Sequence, residues 1–190
     1  MAAQGIDRSS VATVFLTHLH ADHVGWNVVR QSGRVVPAFP RARYRFGTRD
    51  WEHFTSSAML ASEDGPTTRE RILPLHEMGL IDLLDGETEL AHGVIAIPTP
   101  GHTPGHMSLL IASRGERAVM LGDLVGSPMQ ITESDLPYAG DTDVKLWRTT
   151  RIQVLEMAER ARRIVLGPHL PKPGSGTRVR FQGRRHFAGL

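Results

Sequence analysis

The chain contains no cysteine. Disulfides are excluded, and so are thiolate metal sites. Any metal must therefore sit on nitrogen and oxygen ligands, which makes the 10 histidines the candidates. Long uncharged apolar runs are also missing, so no segment reads as a membrane span. The start, Met1-Ala2-Ala3-Gln4-Gly5-Ile6-Asp7, has no basic stretch followed by an apolar one. It lacks a signal-peptide pattern, and a cytoplasmic location is the expectation. No Gly-x-Ser-x-Gly elbow and no phosphate-binding glycine loop with lysine occurs. An activated serine and a nucleotide cradle are thus both absent from the chemistry to be considered.

What is present is enough for a core. The 190 residues, 40% hydrophobic, suit one domain. The net charge is only +2. The basic residues, mostly arginine, gather late, at Arg160, Arg162, Arg163, Lys172, Arg178, Arg180, Arg184 and Arg185, with no acid after Glu159. No aromatic platform accompanies them, which argues against nucleic acid and for a solvated surface.

The apolar run 11–16 is rich in β-branched residues and reads as a buried strand. Residues 42–46 read as another, turning at Gly47-Thr48 into a short helix holding Trp51, Phe54 and Met59. Thr67 and Glu70 have capping-box spacing and are expected to open a helix that Pro74 disturbs and Gly79 ends. Strands follow at 80–84, 94–97, 107–112 and 118–121, the last two joined as a hairpin through Ser113-Arg114-Gly115-Glu116. Asp141 or Asp143 caps the longest helix, which runs to about residue 163, and 164–166 is a last core strand.

The candidate ligands all follow strands. In Thr17-His18-Leu19-His20-Ala21-Asp22-His23-Val24-Gly25, His18 and His20 share one side of an extended segment and can bind one metal. Asp22 and His23 lie past the bend and can address a second. Thr99-Pro100-Gly101-His102-Thr103-Pro104-Gly105-His106 is a stiff loop that fixes one imidazole, and His102 completes three nitrogen ligands on the first metal. His106 reads as a residue that orients a ligand or packs beside it. Asp123, after Leu121-Gly122, is placed to bridge two metals, and His169 supplies the remaining ligand. His53, His76, His92 and His186 read as surface or packing residues. Imidazole and carboxylate ligands suit zinc, with iron or manganese as alternatives. Two such ions at about 3.5–4 Å hold a bridging hydroxide at neutral pH. Asp22 is then both a ligand and a proton shuttle. Trp26, Phe39 and Met129 are candidates to line an apolar substrate pocket.

His18-Leu19-His20-Ala21-Asp22-His23, Pro100-Gly101-His102-Thr103-Pro104-Gly105-His106, Gly122-Asp123 and His169 together resemble the metallo-β-lactamase-fold hydrolases. The resemblance implies an α+β fold, an αβ/βα four-layer sandwich with a dinuclear site at one edge. It implies His18, His20 and His102 on one zinc ion, Asp22, His23 and His169 on the other, and Asp123 between them. The segment after Asp123 and His169-Leu170-Pro171 are similar to methyl-parathion-hydrolase-like enzymes. Quorum-quenching lactonases are more distant, and usually carry a tyrosine where Gly126 stands here.

Several first-sheet strands precede the histidine motif in that family, and only one does here. The expectation is a single domain, 1–190, that is N-terminally incomplete. The expected activity is hydrolysis of a small ester, lactone or organophosphate. A phosphodiester or thioester hydrolase is one alternative. A non-catalytic or partner-dependent truncated remnant is another. The expected partner is a small-molecule substrate, with no membrane, and a homodimer is left open.

Overall fold

The computed structural model describes residues 4–190, the side chains of Val179 and Phe181 excepted. The leader reading thus falls partly on residues 1–3, outside the described residues. The chain resolves into two compact units, 1–85 and 86–190. No helix among the described residues is long and apolar enough to cross a membrane.

The first unit is built on three parallel strands, β1 (Thr13–Phe15), β4 (Arg43–Gly47) and β5 (Ile81–Leu84), in the order β1-β4-β5. A separate hairpin pairs β2 (Val28–Gln31) with β3 (Arg34–Pro37). Four short helices lie between β4 and β5: α2 (Thr48–Phe54), α3 (Ser57–Ala61), α4 (Gly65–Arg71) and α5 (Leu73–Glu77). Leu16, Leu19, Val24, Phe46, Phe54 and Ile72 form one core cluster; Val28, Ala42, Tyr44 and Leu75 form another. Removing such side chains from water is the main force that holds so short a set of elements.

Two expectations are corrected here. Thr67 and Glu70 lie inside α4 rather than opening it. Pro66 occupies its first turn, where a missing N–H costs nothing. Pro74 likewise starts α5 instead of disturbing a longer helix.

The second unit is a seven-stranded sheet in the order β12-β11-β10-β9-β8-β7-β6. Its strands are β6 (Thr88–Ala91), β7 (Val94–Pro98), β8 (Met107–Ser113), β9 (Glu116–Met120), β10 (Ile164–Leu166), β11 (Ser175–Phe181) and β12 (Arg184–Gly189). Between β9 and β10 the chain forms α6 (Met129–Thr132) and the long helix α7 (Val144–Arg160). Asp143 caps α7, its side chain accepting from the Leu146 N–H at 2.9 Å. Trp147, Thr150, Arg151, Val154, Leu155 and Ala158 recur at helical spacing and are buried. The apolar members of this stripe pack with Val119, Leu121 and Val165.

The direction of these strands decides where loops emerge. β7 and β9 both run antiparallel to β8, and β10 runs parallel to β9. The carboxyl ends of β7, β9 and β10 therefore share one edge, and β8 begins at it.

The basic tail carries a hairpin that its run of arginines hides. Arg160, Arg162, Lys172, Arg180 and Arg184 are exposed, as a solvated surface requires, and the residues from Ser175 on pair as the hairpin β11-β12. Arg180 and Arg185 both bind the Glu159 carboxylate, and Arg184 binds Glu133. Arg178 is partly buried and donates to the carbonyls of Ala158 and Arg163, each at 2.7 Å.

Candidate metal centre

In the first unit the motif leaves β1 and enters a one-turn helix, α1 (Ala21–Val24). His18 is fully buried, His20 and His23 are half-buried, and Asp22 is exposed. The His18 ring lies 4.7 Å from that of His20 and 4.1 Å from that of His23, centroid to centroid. Thr17 Oγ1 sits 3.0 Å from His18 Nδ1 and holds the ring from its far side. Asp22 Oδ2 lies 3.3 Å from His23 Nε2. Three imidazoles and a carboxylate thus gather within six positions of chain.

In the second unit the three ligand candidates stand on the shared sheet edge. His102 follows β7, Asp123 sits in a 3-10 turn (Gly122–Leu124) after β9, and His169 follows β10. Asp123 Oδ2 is 3.6 Å from His102 Nε2 and 3.2 Å from His169 Nε2. One carboxylate oxygen between two imidazole nitrogens is the donor set of a nitrogen–oxygen metal site. The residues fit a zinc-like cation.

His106 does something different. Its Nε2 accepts from the Asp123 backbone N–H at 3.1 Å. The ring proton must then be on Nδ1, which faces Thr99 Oγ1 at 2.8 Å and Thr99 O at 3.1 Å. Thr99 Oγ1 passes the chain to Ser108 Oγ at 2.9 Å, and Ser108 Oγ donates to Leu121 O at 3.2 Å. All four side-chain or backbone partners are buried. This network ties the loop on both sides of Gly122, and both ring nitrogens of His106 are engaged within it.

Sequence reasoning missed one residue. Asp141, read as a possible helix cap, instead places Oδ1 2.9 Å from His102 Nδ1. A carboxylate 39 positions from its histidine leaves no local spacing by which to find it.

The pocket candidates separate. Trp26 and Phe39 line one cavity of about 700 Å³ in the first unit, with Ile6, Arg8 and Val29. Met129 does not line it; it lies on α6 with 62% of its surface exposed. Of the remaining histidines, His76 stacks 4.7 Å from Trp51, and His53 packs edge-on to Phe54 at 5.0 Å. Burial lowers the pKa of His53.

The chain matches the model of the Metallo-beta-lactamase superfamily over residues 1–178, and it belongs to that family. An N-acyl homoserine lactonase of Bacillus sp is 28% identical over 157 residues, 82% of this chain and 55% of that protein. An uncharacterised protein, YobT of Bacillus subtilis (strain 168), is 32% identical over 102 residues, 54% of this chain and 42% of that protein. Among solved structures, the hydrolase AbOPH of the beta lactamase superfamily superposes with a TM-score of 0.83 at 25% identity, covering 100% of this chain and 67% of that one. AidC, a dizinc quorum-quenching lactonase, gives 0.79 at 23% identity, covering 100% of this chain and 67% of its own. The mixed α/β fold is therefore that of the metallo-β-lactamase hydrolases. The chain spans about half the length of the curated relatives it matches, 55% of the Bacillus sp protein.

Proposed function

We propose that this chain is a zinc-dependent hydrolase of a small ester, lactone or organophosphate. The observation that carries the reading is the convergence of His102 Nε2 and His169 Nε2 on Asp123 Oδ2. The reading adds His18, His20, Asp22 and His23 as further ligands, the candidates falling into one group of three and one of four. The reading needs ligands from both compact units, and the unbroken family match from 1 to 178 supports treating 1–190 as one functional domain.

In this reading His18, His20 and His102 hold one ion, Asp22, His23 and His169 the other, and Asp123 both. Bound zinc supplies an acidified water near neutral pH and an electrophile for a carbonyl or phosphoryl oxygen. The protein's own groups do the rest. Asp22 is the exposed carboxylate of the set and is the candidate to carry a proton from the attacking water to the leaving group. His106 holds Asp123 in place through the main chain. The cavity beside Trp26 and Phe39 offers apolar contact to a substrate's non-reacting part. Lactones are the first class to screen, because an N-acyl homoserine lactonase is among the relatives.

The test is hydrolysis of lactone, ester and phosphotriester substrates before and after exhaustive chelation, with about two metal ions expected per chain. Activity that disappears on chelation and returns with zinc supports the reading. Full activity in the metal-free protein would sink it.

A further inference from the structure

His102 is gripped from two directions within its own unit. Its carbonyl accepts from the Thr142 N–H and the Thr142 hydroxyl, each at 3.0 Å. Its Nδ1 meets Asp141 Oδ1 at 2.9 Å. The Asp141 carboxylate is fully buried, and its second oxygen accepts from the Tyr138 N–H at 3.0 Å. An ionised carboxylate can only accept, so this contact requires a proton on Nδ1. In a neutral ring, that leaves the lone pair on Nε2, the nitrogen 3.6 Å from Asp123 Oδ2.

Asp141 belongs to no helix or strand, so something else must hold its segment still. Arg151, fully buried on α7, does so. Its Nη2 donates to Leu136 O at 3.1 Å and to Ser134 O. Gln130 Nε2 donates to the same Leu136 O at 3.2 Å, while its Oε1 accepts from the Gly126 N–H at 2.7 Å. The guanidinium stacks over Trp147, 3.4 Å from the ring centre. Burial pushes the Arg151 pKa down to about 10, with the charges of Asp141 and Asp135 opposing that shift. A buried cation is costly unless its surroundings compensate it. Here two main-chain oxygens of one irregular segment and an aromatic face do so. Nε and Nη1 have no hydrogen-bond partner among the described residues, so Arg151 is retained at some cost, which suits a structural clamp.

We propose that Asp141 is a positioning residue for His102, fixing the proton on Nδ1 and aiming Nε2 at the metal side, and that Arg151 serves it by anchoring the segment 134–141. The metal part of this inference rests on the reading above; the proton placement does not.

The experiment has two readouts. Long-range proton–nitrogen NMR of the metal-free protein reports the His102 tautomer directly. Nδ1–H is expected in the wild type, with Nε2–H gaining in Asp141→Ala. Competition with a chromogenic chelator reports zinc affinity. Asp141→Ala is expected to weaken one of the two ions by about 10–100-fold. Asp141→Asn, which keeps an acceptor oxygen, should recover part of that loss. Arg151→Lys keeps the charge but loses the planar guanidinium stacked on Trp147, and it should shift both readouts in the same direction. An Nε2–H ring in the wild type, or an unchanged ring and unchanged affinities in folded Asp141→Ala, would overturn the proposal. A wild-type chain that shows the Nδ1–H ring yet binds no zinc would leave Asp141's role standing and defeat the metal reading instead. Folded Arg151→Lys with wild-type behaviour would remove the arginine from the proposal.

Discussion

The imidazole of His106 accepts the backbone N–H of Asp123 at 3.1 Å, across 17 residues of chain. A histidine inside a ligand-rich loop thereby spends one nitrogen on holding another loop and the other on Thr99 of its own. Truncation by His106→Ala would leave the buried Asp123 N–H and the Thr99 hydroxyl short of a partner. Each lost partner of that kind costs about 1–3 kcal/mol. A fall of the urea midpoint by this order is expected, with metal affinity reduced about 10–100-fold. Zinc titration of the folded variant checks the second point. Unchanged affinity would mean that Asp123 is held by the sheet edge alone.

Acid sensitivity should reside partly in the tail. Hydrogen bonds from Arg180 and Arg185 hold the Glu159 carboxyl down to about 2, from an ordinary value of 4.5. A carboxyl whose pKa is lower in the folded state stabilises the fold fully above its unfolded pKa. That contribution is lost as the pH falls toward the folded value. The window is therefore from about pH 5 down to about pH 2. Glu159→Gln should lower stability at pH 7 and flatten its pH dependence inside that window. Thermal unfolding of both proteins from pH 7 to pH 3 measures the difference. Parallel curves would show that the clamp between β11-β12 and α7 does not depend on this charge.

The ligand candidates were legible because they follow short apolar strands and sit in tight, residue-specific spacings. The architecture around them was less so. The turn Arg114-Gly115 between β8 and β9 was readable because apolar runs flank it. Gln182-Gly183 makes the same kind of two-residue turn, with positive φ at both positions. Its flanks are Arg178, Arg180, Arg184 and Arg185. Those cations mask the strand pattern, because their carboxylate and carbonyl partners lie far along the chain, at Glu133, Ala158, Glu159 and Arg163. Asp141 was hidden for the same reason. A local reading sees Asp141 and Asp143 as rival caps for one helix. Only the fold shows that Asp143 caps α7 and that Asp141 turns to His102.

The stiffness of the His102 loop has a steric cause that the sequence suggested only in outline. Gly101 has φ near +131°. A Cβ built on it would lie 2.2 Å from Trp147 Cα and 2.3 Å from Trp147 N. Those are backbone atoms of α7, which cannot swing aside as a side chain can. The Asp143 N–H also donates to Gly101 O at 2.9 Å, so the start of α7 and the loop are joined on both counts. Gly101→Ala must therefore push the loop off the helix or distort the helix itself. Overpacking of this kind costs about 1–3 kcal/mol, and the unfavourable φ adds to it. Because His102 is the next residue, the displacement should reach its ring. A lowered melting temperature together with weakened zinc binding is expected. Trp147 fluorescence in the folded variant should shift as its contact with the loop changes. If Gly101→Ala melted and bound zinc like the wild type, the close approach of loop and helix would be wrong. The placement of His102 would then need another support.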